Sequence, residues 1–191
     1  MHDLSLALLA LASGVAIAAA CGLRAFLPLL ALGLAGRFHA VTLRPSVEWL
    51  AGDAALWSLG IATVLEIAAD KLPVLDHALD AVGTVLRPAA AWVGAFAVLT
   101  GWGAPWAQIA ALVLGAASLA VHGVKAKTRL GSTVVTAGHA NPALSVLEDL
   151  GTVGLVALAI FLPLLAVLLV LIALRIARGW RRRKPSTILA P

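Results

Sequence analysis

Charged residues are scarce in this sequence. They make up 12% of the 191 residues, whereas hydrophobic residues make up 62% and the mean hydropathy is +1.02. A soluble domain has about 25% charged and about 45–50% apolar residues. So few charges cannot form a polar shell around an apolar core, which excludes a soluble globular protein. A lipid bilayer suits this composition, and we expect a multi-pass protein of the inner cell membrane.

Cysteine is almost absent, and the common catalytic motifs do not occur. Cys21 is the one cysteine, so an intrachain disulfide bond is excluded. The sequence contains no nucleophile elbow, phosphate-binding loop or zinc-protease pattern. It therefore predicts no enzymatic activity and no cofactor.

Basic residues are concentrated near the C-terminus. The net charge is +5, and it is accounted for by six basic residues in this segment: Arg175, Arg178, Arg181, Arg182, Arg183 and Lys184. The rest of the chain is near neutral, which argues against nucleic-acid binding. A basic block after an apolar span is typical of a cytoplasmic end and can contact anionic lipid headgroups. We therefore predict a membrane domain over residues 1–175 and a basic cytoplasmic tail over residues 176–191.

Long apolar runs predict an all-α, polytopic bundle of transmembrane helices. A span needs about 20 apolar residues. The runs give about five spans, over residues 4–36, 48–69, 88–101, 105–122 and 146–174. The first run is too long for one span and too short for two, and we expect it to break near Gly22, so that residues 22–36 are broken or re-entrant.

The polar connections predict the topology. With a cytoplasmic C-terminus, counting back over the spans places residues 37–47 inside and residues 123–145 outside. The second connection carries three basic residues, which conflicts with an outside position. The conflict is reduced if residues 130–145 form a re-entrant element held within the protein.

Two segments also resemble each other weakly. Residues 22–30 ("GLRAFLPLL") and 127–135 ("KTRLGSTVV") each place a basic residue beside a glycine at a predicted break. Paired broken segments in the two halves of a membrane protein indicate a weak inverted repeat of the kind found in transporters.

The stretch "EIAADKLPVLDHALD" gathers carboxylates in an otherwise apolar chain. Glu66 and Asp70 share one helix face, and Asp76 and Asp80 share another, because each pair is four residues apart. Three interpretations remain open: a cation or proton site, structural ion pairs that also use Lys71, or a solvated corner at the membrane surface. Any metal site would use these four carboxylates.

Arg24 lies far from both ends of an apolar run and must therefore have a partner. Our topology places the 66–80 corner and the 123–149 segment on one side of the membrane, so their charges can converge with Arg24. The remaining candidates for a solute or ion site are Arg87, Arg129, His139, Asn141, Glu148 and Asp149.

Three segments resemble a known family. They are "GLRAFLPLLALGLAGRF", "EIAADKLPVLDHALDAVGTVLRP" and "STVVTAGHANPALSVLEDLGT". Together they are similar to the small bacterial membrane proteins classified as domain of unknown function four-one-two-six, over about residues 10–174. The resemblance implies an integral membrane protein, and it supplies no activity, substrate or catalytic residue.

The function we predict is a transporter or channel for a small solute or ion, with the charged residues lining a polar site between helices. The alternative is a non-transporting membrane scaffold or assembly partner, in which the charges are structural ion pairs. A chain of 191 residues can also require a homo-oligomer to enclose a pathway.

Overall fold

The computed structural model describes residues 2–70, 73–137 and 139–182. This part of the chain is helical and contains no strand. A 3₁₀-helix over Pro45–Ala51 precedes α3, and the α-helices are α1 (His2–Leu23), α2 (Phe26–Arg37), α3 (Asp53–Ala69), α4 (Pro73–Val98), α5 (Ala104–Thr136), α6 (Asn141–Phe161) and α7 (Pro163–Arg182). The predicted all-α helical bundle is confirmed.

Several helices are suited to a bilayer. Among the described residues, 3 helices are long and apolar enough to cross a membrane: α1 over Leu4–Leu23, α5 and α6. A fourth span results if the 3₁₀-helix and α3, bent by 62°, are counted together. Helix α5 has 33 residues, which is about 50 Å at about 1.5 Å per residue, so it extends beyond a hydrocarbon core of about 30 Å. These features fit a multi-pass membrane protein.

The helices run between two ends of the bundle. At one end, which we call the charged end, Arg24, Asp70, Arg129 and Glu148 meet. At the opposite end the Trp102 indole donates a hydrogen bond to the carbonyl of Ala7. Because Ser13 of α1 bonds Ala159 of α6, whereas Arg24 bonds Ser145, α1 and α6 are antiparallel.

The long first run forms two helices, and the break lies at Arg24 and Ala25, close to the predicted position. Helix α2 turns back beside α1. Leu29 of α2 and Cys21 of α1 both pack near Gly94. Further along α2, Leu32 lines a cavity together with Ser13, which comes earlier in α1. The two helices therefore run in opposite directions. The 37–47 connection is consequently held at the opposite end, where Arg44 donates hydrogen bonds to the carbonyls of Leu99 and Trp102.

Helix α4 is continuous from Pro73 to Val98 with Pro88 inside it, so the predicted span over residues 88–101 corresponds to the later part of a longer helix. A proline removes one backbone hydrogen bond, and packing on both sides can keep the helix continuous with at most a kink. Here Ala91 and Ala95 are buried just beyond Pro88. The predicted start of a span at residue 48 lies in the 3₁₀-helix, which forms a span only if it is counted together with α3.

Helix α5 continues beyond the predicted end of a span at residue 122. It reaches Thr136 and α6 begins at Asn141, so the polar 123–145 segment is mostly helix. The segment 127–135 is therefore continuous helix, whereas 22–30 contains a break, and their resemblance has no local structural counterpart. The helix continues because Lys125 and Arg129 are buried with charged partners.

The predicted single span over residues 146–174 is divided at Leu162. Pro163 has no backbone N–H and disfavours a helical residue before it, and Leu162 has φ −141° and ψ 60°. Helix α7 then runs back beside α6, since Leu169 to Leu174 line one groove with Gly151 to Leu158. The end of α7 therefore lies at the charged end with the 123–145 segment, and the 37–47 connection lies opposite. This reverses the predicted placement of the two connections relative to the C-terminus.

Small residues dominate the core between the helices. Ala16, Ala20, Ala91 and Ala95 are completely buried. Lipid provides no hydrophobic force between helices, so close packing of small side chains is a main source of their association. This close packing fixes the positions of the longer polar side chains at the charged end.

Candidate functional site

Arg24 lies in the break between α1 and α2, and its side chain is 0% exposed. The guanidinium pairs with Asp70, and Nη2 donates a hydrogen bond of 2.8 Å to Oγ of Ser145. Its Nε lies 2.7 Å from Oδ1 of Asp149, an ion pair whose angle is outside hydrogen-bond geometry. The partner that the sequence required for Arg24 is therefore present.

Asp70 follows the last residue of α3 and receives three cations. Besides Arg24, Nη2 of Arg129 lies 2.8 Å from its Oδ2 and Nζ of Lys125 lies 3.6 Å away. Burial alone would raise the pKa of the Asp70 carboxyl, but the charges of Lys125, Arg24 and Arg129 outweigh burial and hold the pKa below its ordinary value. The carboxyl consequently stays ionised.

Glu148 joins the two basic residues of α5. Arg129 binds it through both carboxylate oxygens, with distances of 3.0 Å from Nε and 2.6 Å from Nη2. Lys125 Nζ lies 3.2 Å from Glu148 Oε2 and donates a hydrogen bond of 3.0 Å to the carbonyl of Leu23. Lys125 thus also stabilises the carboxyl end of α1.

These contacts form one charge-balanced group, which we call the ion-pair cluster: Arg24, Asp70, Lys125, Arg129, Glu148 and Asp149. The six described members are three cations and three carboxylates, so their formal charges sum to zero. Buried charges require such pairing, because an unpaired ion in a low-dielectric interior is strongly destabilising. Glu148 and Asp149 are the more accessible members, with side chains 13% and 23% exposed.

Glu66 stabilises the start of α2 and is not part of the cluster. Its two carboxylate oxygens accept hydrogen bonds of 2.8 Å from the backbone N–H of Ala25 and 3.2 Å from that of Phe26. A helix leaves its first N–H groups without partners inside the helix. A carboxylate at this position also interacts favourably with the positive end of the helix dipole. No sequence pattern indicates this role, because Glu66 lies on a different helix, α3.

Removal of this carboxylate should have a measurable cost. We expect Glu66→Ala to lower the free energy of unfolding by about 0.5–2 kcal/mol, as for other helix caps. Glu66→Gln should lower it less, because the amide oxygen can still accept a hydrogen bond. Thermal melting of the detergent-purified variants measures the difference. Equal melting temperatures for the wild type and Glu66→Ala would contradict the capping role.

Arg87 and His122 form a second buried polar contact, between α4 and α5. Arg87 Nη1 contacts the His122 ring at Nδ1 and lies 3.4 Å from Nε2. Both residues are buried. This pair lies one helical turn of α5 before Lys125, on the side toward the opposite end.

His139 and Asn141 lie in and just after the turn that follows α5. His139 is exposed, and its backbone N–H donates a hydrogen bond of 3.1 Å to the carbonyl of Thr136. Asn141 Nδ2 donates a hydrogen bond of 3.0 Å to Oγ of Thr133. These bonds stabilise the turn and do not join the ion-pair cluster.

The structure brings together five of the predicted site residues: Arg24, Asp70, Arg129, Glu148 and Asp149. Lys125 was missed, because the predicted span ended before it. Had the helix been continued, its four-residue spacing from Arg129 would have placed both on one face. Lys71 and the side chains of Asp76 and Asp80 lie outside the described residues.

A metal site is not formed by the described residues. They contain no group of three or more His, Cys, Asp or Glu side chains that could hold a metal ion. Glu66 and Asp70 are directed to different partners, the backbone of α2 and the cations of the cluster. A metal site that uses Asp76 and Asp80 stays a prediction.

Two cavities lie toward the opposite end. The first, of about 620 Å³, is lined by Arg37, His39, Thr42 and Glu48, among others. The second, of about 100 Å³, shares Val41 and Thr42 with the first and reaches Ser13 inside the bundle. Together they lead from the opposite end toward the core, and the sequence contains no motif that predicts them.

A family model described as "Domain of unknown function (DUF4126)" matches residues 11–182. No curated protein and no solved structure matches the chain.

Proposed function

The chain belongs to the family described as Domain of unknown function (DUF4126), and we propose that it is a membrane transporter or channel for a small solute or ion. One observation carries the proposal. Two adjoining cavities lead from the opposite end into the bundle, and the ion-pair cluster closes the charged end.

The cavity lining favours a small polar solute or ion. The outer cavity presents charged and imidazole side chains, and the inner cavity retains two hydroxyl groups, those of Ser13 and Thr42. Between the inner cavity and the cluster, Ile17, Cys21 and Leu29 are buried and close the path. A solute would cross only when these apolar side chains and the cluster rearrange together.

The helix break supports this interpretation. In many transporters, discontinuous helices leave backbone groups free to bind a solute or an ion. Here the break frees the carbonyl of Leu23, which accepts a hydrogen bond from Lys125. It also frees the N–H groups of Ala25 and Phe26, which donate hydrogen bonds to Glu66. Opening of this break would move Lys125 and Glu66 away from these backbone groups, which suits a gate.

We propose that the protein lies in the inner cell membrane and that its charged end faces the cytoplasm. The basic residues at the end of α7 and in the 123–145 segment lie at the same end, which agrees with the positive-inside rule. The outer cavity would then open on the outside. No enzymatic activity forms part of this proposal.

Cysteine accessibility tests the pathway. In a Cys21→Ala background, we expect Ser13→Cys to react with a membrane-impermeant thiol reagent added from the side of the opposite end, because water reaches the inner cavity. Thr42→Cys, at the exposed mouth, is the positive control. Ala16→Cys, one turn from Ser13 and 0% exposed, is the matched negative control.

Flux measurements then test the function. Proteoliposomes should swell faster than protein-free liposomes in at least one of urea, glycerol and potassium chloride, and a bulky reagent on Ser13→Cys should slow the swelling. The same treatment of Ala16→Cys should not. An unreactive Ser13→Cys, together with swelling at the protein-free rate in all three solutes, would overturn the proposal.

A second candidate function is favoured by the charge balance of the cluster. Three cations and three carboxylates satisfy one another without a solute, as expected for structural ion pairs in a membrane scaffold or assembly partner. This alternative predicts no reaction at Ser13→Cys, no flux and co-purification of a stoichiometric protein partner.

A further inference from the structure

A third cavity, which we call the lateral groove, lies between α1, α5, α6 and α7. It has a volume of about 430 Å³, and its lining includes Leu23, Val121, Gly154, Leu158, Leu169 and Ala173. This lining is apolar apart from Lys125, whose Nζ is already engaged by the ion-pair cluster. Neither of the two cavities of the proposed pathway contains these residues.

Small residues on α6 leave the groove open. A Cβ added at Gly154 would meet no atom within 4 Å, and one added at Gly151 would meet only Leu23 Cδ1 at 3.7 Å. Leu150 and Leu168, which precede the lining residues Gly151 and Leu169 in the sequence, are exposed. In a bilayer these exposed faces contact lipid, so the groove opens toward acyl chains.

Positive charge lies where the groove reaches the charged end. Leu174 lines the groove, and Arg175 follows it directly, with Arg178 about one turn later; both arginines are exposed. Each basic residue near a membrane surface contributes about 1 kcal/mol to the attraction of anionic lipid. The groove therefore combines an apolar channel with two cations at one end of it.

We propose that the lateral groove binds one acyl chain of an anionic phospholipid whose headgroup phosphate pairs with Arg175 and Arg178. The charge complementarity selects an anionic lipid over a zwitterionic one, and the apolar lining excludes a free phosphate as the occupant. This proposal is independent of transport, because a scaffold would have the same groove.

The test compares two phospholipids with identical acyl chains. Delipidated protein in a neutral detergent is titrated with phosphatidylglycerol or phosphatidylcholine, with the melting temperature and native mass spectrometry as readouts. A ligand that binds the folded state raises the melting temperature. We expect phosphatidylglycerol to raise it more, and to remain bound with a stoichiometry of one at the lowest lipid concentrations.

Two variants separate the groove from the headgroup site. Gly154→Leu fills the groove and should abolish the effect of phosphatidylglycerol, whereas Gly123→Leu, at an equally open position outside the groove, should retain it. The exposed double substitution Arg175→Gln/Arg178→Gln should weaken phosphatidylglycerol binding by about tenfold or more and leave phosphatidylcholine binding unchanged. Equal stabilisation by both lipids, or a wild-type response in Gly154→Leu, would overturn the proposal.

Discussion

Replacing Arg24 with methionine is expected to lower the free energy of unfolding by about 3–5 kcal/mol, the usual cost of breaking a buried ion pair. The substitution leaves Asp70 and Asp149 without their contacts to the guanidinium. The cluster would then hold three carboxylates against two cations. Thermal melting of the purified protein, followed by circular dichroism, measures the loss.

Two comparisons show whether the loss comes from buried charge. Arg37→Met breaks an ion pair of 2.9 Å with Asp53, but these side chains are 50% and 76% exposed, so its cost should be below about 1 kcal/mol. Arg24→Met combined with Asp149→Asn restores charge balance and should recover part of the stability. A similar effect of Arg24→Met and Arg37→Met would contradict the structural importance of the cluster.

Gly22→Leu is expected to destabilise the protein by about 1–3 kcal/mol or more through overpacking. A Cβ at Gly22 would lie 2.6 Å from the carbonyl oxygen of Ser118 and 2.7 Å from Cβ of Val121. The first of these is backbone, so α1 and α5 would have to separate. The change in melting temperature again gives the measurement.

Gly123→Leu is the matched control for this substitution. It lies on α5, and a Cβ there meets nothing within 4 Å. Since leucine favours a helix over glycine by roughly 0.5–1 kcal/mol, the control should be neutral or slightly stabilising. Val121→Ala should partly restore Gly22→Leu. A neutral Gly22→Leu would show that the α1–α5 contact is not close.

The fold class and part of the cluster could be predicted from the sequence for a simple physical reason. An ionised Arg24 inside an apolar run requires a partner, and the sequence offers few acids. The carboxylates of residues 66–80 and of Glu148 and Asp149 were therefore the candidates, and Asp70, Glu148 and Asp149 are the ones that the structure places in the cluster. The apolar composition also predicts a protein that lies in a bilayer, and the all-α bundle follows from the long apolar runs.

The remaining features depend on packing that no local pattern reports. Pro88 lies inside a continuous helix, whereas Pro163 starts a new one, although each is a proline in an apolar segment. The difference lies in the neighbours that stabilise α4 on both sides. The role of Lys125 was missed for the same reason, since its partners come from α3 and α6.

The order of the charged residues along the chain has a consequence for biosynthesis. Arg24 and Asp70 are the first members of the cluster to be made, and their charges balance. Lys125 and Arg129 then add two cations before Glu148 and Asp149 add two carboxylates. The two basic residues of α5 therefore gain their full set of acidic partners only when α6 has been made, so the charged end can be completed only late in synthesis.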